Sequence, residues 1–193
     1  MGEPKEGIPK QMRRIWIITA LSMLVLGLSA SPALAVTPGT YTPTSDSFNS
    51  ANAPGSSHLT SGTIQCVVNA DKSIDCSPYV LGGVGHTNAD VSLSAHYTAI
   101  IDCFNHGTNP NNAVESHQTS FSPTSSTTVT SSKNGQLSVP RERTSFSGAP
   151  VGCPNPNWTP MVRPGSVTLL DFTYTLTFAG FSSPYITITA SDP

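Results

Sequence analysis

The chain has 193 residues, of which 37% are hydrophobic and only 10% charged, with a net charge of −2. No Lys/Arg cluster is present to meet a phosphate backbone, which argues against nucleic acid as a partner. The length suits one domain with a proper core rather than several.

Lys10, Arg13 and Arg14 precede a 14-residue apolar run, "IWIITALSMLVLGL" (15–28), and the small-x-small pattern Ala33-Leu34-Ala35 follows it. This order reads as a secretory signal peptide over residues 1–35, cleaved before Val36. The run is short for a membrane span, which needs about 20 residues. An uncleaved anchor is the alternative, and Met12 is a candidate start. Four of the nine basic and two of the eleven acidic residues precede Val36, so five and nine remain, net −4. No stable membrane association is expected after cleavage. Residues 36–57, "VTPGTYTPTSDSFNSANAPGSS", are rich in Ser, Thr, Pro and Asn, which predicts a flexible leader.

Alternation begins at residue 58. "DVSLSAHYTAIIDC" (90–103) puts Val91, Leu93, Ala95, Tyr97, Ala99, Ile101 and Cys103 on one parity, which predicts a strand with one buried face. "LLDFTYTLTF" (169–178) and "YITITAS" (185–191) repeat the pattern, with Thr on the opposite face. Shorter strands are expected over 62–68, 73–80, 126–132, 135–139 and 142–147. Short strands with Pro/Gly punctuation predict an all-β antiparallel sandwich of immunoglobulin-like architecture over 58–193.

All four cysteines, Cys66, Cys76, Cys103 and Cys153, follow the proposed cleavage point. An even count in an exported chain predicts two disulfides. "CVVNADKSIDC" reads as a hairpin with Cys66 facing Cys76, which leaves Cys103 for Cys153. The chain-entropy model gives about 2.8 kcal/mol for the shorter ring and about 4.1 for the longer. "CVVNADKSIDC", "CFNHGTN" and "GCPNPNW" together resemble a group of small exported proteins of actinobacteria and other soil bacteria. Its members share a cross-strand cysteine pair, a C-x-N-x-G segment and a C-P-N-P-x-W segment. The likeness spans roughly residues 60 to 180, and His106 and Thr108 depart from the more usual Pro and Gly. The group has no assigned activity, so the resemblance implies export and supplies no catalytic residues.

No cofactor is implied. His86, His96, His106 and His117 recur at ten- or eleven-residue intervals, which is a strand-and-turn step rather than a metal-ligand spacing. Asp102, Asn105, Asn109, Asn111 and Asn112 could offer oxygens to Ca²⁺, but asparagines in such a loop are more simply turn formers. No nucleophile-elbow or S-x-x-K signature occurs. Glu115 and Glu142 are not paired by any pattern. "CPNPNWTP" (153–160) has two readings. Trp158 could stack on a sugar ring with Asn155 and Asn157 bonding its hydroxyls. Alternatively, the prolines stiffen the approach to Cys153, stay out of the ladder, and bring Trp158 down over the core. The clamp is preferred. The leading expectation is therefore a secreted non-catalytic protein with a structural or interaction role, extracellular, with cell-wall polysaccharide as the candidate contact. The alternatives are a hydrolase with an unrecognised Ser/His/Asp site, or a carbohydrate- or Ca²⁺-binding module.

Overall fold

A computed structural model describes residues 35–105, 113–147 and 152–191. The proposed signal peptide up to residue 34, the loop 106–112 with His106 and three of its asparagines, and residues 148–151 lie outside these. Alternation dictates the central element. β6 (Ala89–Asn105) runs for 17 residues with every second side chain buried, a strand about 55 Å long. On one side it pairs with β7 (Glu115–Phe121) and then β8 (Thr124–Val129), on the other with β11 (Trp158–Val162) and then β12 (Thr168–Phe178). Each flank is in effect one long strand with a single break. The first break falls at Pro123, which has no N–H to give, and whose carbonyl instead accepts from Ala95 N. The second is the turn Arg163-Pro164-Gly165-Ser166. Its Ser166 N–H donates to Arg163 O at 3.1 Å, and Gly165 sits at φ +74°, as a type II turn requires. β13 (Ile186–Ser191) pairs with the outer edge of β12.

Two smaller antiparallel sheets make the other layer. One is ordered β1 (Gly39–Tyr41), β3 (Cys66–Val68), β4 (Ile74–Cys76), β10 (Glu142–Thr144). The other is ordered β2 (His58–Gly62), β5 (Tyr79–Gly82), β9 (Leu137–Val139). Val68, Ile74, Leu81 and Leu137 from these sheets share a single buried core with Leu93, Phe172, Leu176 and Ile186 of the large sheet. Across it the hydroxyls of Tyr79 and Tyr174 meet at 3.0 Å, so the polar tips of two buried rings satisfy each other. The chain is all-β, antiparallel and layered, as its alternation predicts. Immunoglobulin-like connectivity is a finer statement to which these strand orders do not extend.

Both expected bridges are present, Cys66–Cys76 and Cys103–Cys153. Cys66 and Cys76 are directly opposed in register, with Val68 opposite Ile74. In the β3–β4 turn Lys72 adopts φ +67°, and its carbonyl accepts a hydrogen bond from the Tyr97 hydroxyl at 2.9 Å.

Residues 36–57 correct the expectation of a flexible leader. Val36 is buried, and its N–H donates to Leu169 O at 2.8 Å. β1 pairs with β3, and Tyr41 meets Phe172 edge-to-face at 5.3 Å. Ala53 is in the core and Ser56 Oγ donates to Gly83 O at 2.9 Å. Its composition is polar because most of the segment is surface. A few apolar contacts and one edge pairing suffice to hold it, and composition averaged over 22 residues conceals them.

Candidate functional site

β10 and β8 are the edges of facing layers. Glu142 lies opposite Cys76 in its sheet and Ser125 opposite Leu93 in the other, so both side chains point into the space between the layers. They meet there: Ser125 Oγ donates to Glu142 Oε2 at 2.6 Å. Glu142 is only 3% exposed, and its Oε1 has no hydrogen-bond partner. A buried acceptor without a donor costs about 1–3 kcal/mol; among the described residues Ser57 Oγ and His117 Nδ1 are the other buried side-chain atoms in this position.

Outside this pair a cleft of about 520 Å³ opens along the layer edge. The β3–β4 turn contributes Asp71 and Ser73, the β7–β8 corner contributes Pro123, Thr124 and Ser125, and β10 with its continuation contributes Arg143, Thr144, Ser145 and Ser147. Its charges are partly engaged. Asp71 Oδ1 accepts from the Ser73 hydroxyl at 2.7 Å and the Ser73 amide at 3.0 Å. These bonds, the hydroxyl's first, hold the Asp71 carboxyl below its usual range. Arg143 Nε lies 3.2 Å from Asp75 Oδ2, and Arg141 Nε reaches the other oxygen of Asp75 at 3.0 Å. The cleft is thus a hydroxyl-lined space with one apolar ring, Pro123, and a buried carboxylate behind its wall. Its size falls within the range of about 300–1,000 Å³ usual for small-ligand sites.

The residues singled out from sequence lie elsewhere. Trp158, at the start of β11, pairs with Asn105 on the face that carries Cys103, two register pairs beyond that cysteine. It is half-buried, so it flanks the bridge without closing the core. The prolines do not keep this segment out of the ladder, because β11 includes Pro160 opposite Cys103. Among the described residues β11 has a neighbour on one side only, and an edge strand tolerates a missing N–H. Asn155 Oδ1 accepts from Asn157 N at 3.0 Å and Asn155 O from Trp158 N at 3.0 Å. Asn155 therefore spends its side chain on turn geometry. Asp102 is likewise engaged, in a bidentate pair with Arg163 (2.7 and 3.1 Å) and with the Ser116 hydroxyl at 2.6 Å. The guanidinium first, then the hydroxyl, holds its carboxyl low.

Among the described residues the histidines do not gather into a metal-binding group. His96 faces solvent and contacts Asp171 Oδ1 at 2.7 Å, while His58 contacts Ser56 O at 2.8 Å. Among the described residues no group of three or more His, Cys, Asp or Glu is placed to hold a metal, and no helix is long and apolar enough to cross a membrane. Sequence reasoning missed the Ser125–Glu142 pair. Its only trace was a carboxylate on the buried parity of "RERT", between two outward arginines. No family model matches the chain, and no curated protein or solved structure does either.

Proposed function

We propose that the chain is an exported, non-catalytic β-sandwich with an interaction role at the cell exterior, free or wall-associated. The observation that carries this reading is the use of all four cysteines in two bridges. Such bridges persist in oxidising compartments and are rare in reducing ones. The signal-like segment before Val36 and the resemblance to small exported proteins of soil bacteria support it. So does the cleft, whose described lining offers hydroxyl donors and acceptors suited to holding a polar partner. Intact-mass analysis of culture supernatant tests the proposal. The expected species starts at Val36 and carries both disulfides. Full-length protein confined to the membrane fraction would defeat it.

A second reading, a secreted hydrolase, draws on the 2.6 Å bond between Ser125 and Glu142, since a hydroxyl on a carboxylate is the beginning of an activated nucleophile. Ester, peptide and glycoside turnover that disappears in Ser125→Ala would decide for it.

A further inference from the structure

We propose that the cleft between β8 and β10 is a binding site for a neutral saccharide, with Glu142 Oε1 as the buried acceptor for one of its hydroxyls. This rests on the reading of the chain as an exterior interaction module and names the ligand class of that module.

Two independent features converge. The first is the shape and chemistry of the cleft. Ser and Thr hydroxyls both donate and accept, as sugar hydroxyls do, so such a lining matches a polyol in either sense. Pro123 supplies an apolar surface, suited to the C–H face of a pyranose ring. Asp71 Oδ1 is engaged by Ser73 and Arg143 Nε by Asp75, and these opposite charges stand together at the cleft, so the lining presents no excess of positive charge to select an anion. A phosphate or uronate would meet two carboxylates, Asp71 and Glu142. A neutral polyol meets neither obstacle.

The second feature is Glu142 itself. Its Oε2 is held by Ser125, a residue of the cleft wall. Its Oε1 is buried and has no donor. Buried polar groups are satisfied in the great majority of proteins, and an exception calls for a missing partner. Thr144, on the same inward parity of β10, lines the cleft. Glu142 stands behind the wall rather than in it, so a ligand hydroxyl would complete the set where Ser125 and Thr144 part to admit it. The bond so formed lies where water is excluded, which strengthens it.

The test is an amide chemical-shift titration of the full mature chain. The probes are cellobiose, xylobiose, mannobiose, maltose and di-N-acetylchitobiose, with galacturonate disaccharide as the acidic control. At least one neutral sugar is expected to give saturable shifts at Ser73, Ser125 and Arg143–Ser145, with the acidic control inert. Glu142→Gln, which swaps the open acceptor for a donor, is expected to weaken binding about tenfold or more. Ser145→Tyr narrows the mouth from an exposed position without touching the buried pair, and should abolish binding with the fold intact. The inference fails if no neutral sugar moves the cleft amides, or if the shifts gather around Trp158. It fails equally if Glu142→Gln binds as well as its parent because water alone fills the place. These results leave export and the bridges untouched. Release of cleaved sugar would overturn the non-catalytic reading while keeping the site.

Discussion

Trp158 is the only tryptophan after residue 35, so fluorescence reports on it alone. A half-buried ring beside the Cys103–Cys153 bridge should emit between the buried and solvated limits and be partly quenched by acrylamide. Trp158→Ala should cost about 1–2 kcal/mol in denaturant unfolding, well under the ~3–5 kcal/mol of a fully buried ring. A loss at the upper figure would restore the clamp, and no loss would mark a surface platform. The tyrosines make a sharper case. Burial pushes the phenol of Tyr97 up to about 12, and burial, with Glu142 adding to it, does the same for Tyr174. Tyr79 is raised as well, by burial and then by Tyr174. Their ordinary value is 10.0. Above it the unfolded chain releases phenolic protons that the folded chain retains, so stability is full below pH 10 and falls as pH rises towards 12. Denaturant midpoints followed across this window should drop steeply, and less steeply in Tyr174→Phe. A flat profile would show the rings to be hydrated.

At the scale of elements, the segment 36–57 is the instructive case. Deleting it removes Val36, Ala53 and the Tyr41–Phe172 contact and bares the edge of β3. The truncated chain should lose about 3 kcal/mol, since burying Val36 alone is worth about 1.5–3 and the Tyr41–Phe172 pair about 0.5–1.5 more. An unchanged midpoint would return the segment to leader status. The difference between what sequence shows and what it hides follows from period. β6, β12 and β13 were legible because one face is core and the other water, which writes a two-residue alternation into 17, 11 and 6 positions. β1, β2, β7 and β11 have few or no buried side chains. They are held by backbone pairing to neighbours, and pairing leaves no trace in side-chain polarity. The cleft was hidden for a related reason. Asp71, Ser125 and Glu142 are far apart in the chain and come together only because β8 and β10 end facing layers. The bridges were legible because the hairpin fixes one pair by parity and leaves the other.

On the scale of the whole molecule, the covalent path differs from the sequence path. Tension between Val36 and Ser191 runs along the backbone to Cys66, crosses to Cys76, continues to Cys103, crosses to Cys153 and leaves through β11, β12 and β13. Residues 67–75 and 104–152 carry none of it. The crossings span ten and fifty residue steps, which removes about 200 Å from the extensible contour. Single-molecule stretching should therefore show an unfolding extension about 200 Å shorter for the oxidised chain than after reduction; equal extensions would mean the bridges do not shunt force. Every residue lining the cleft, from Asp71 and Ser73 to Ser147, belongs to one of the two bypassed loops. A domain tethered at one end and pulled at the other would keep these loops slack, like a pocket sewn onto a strap.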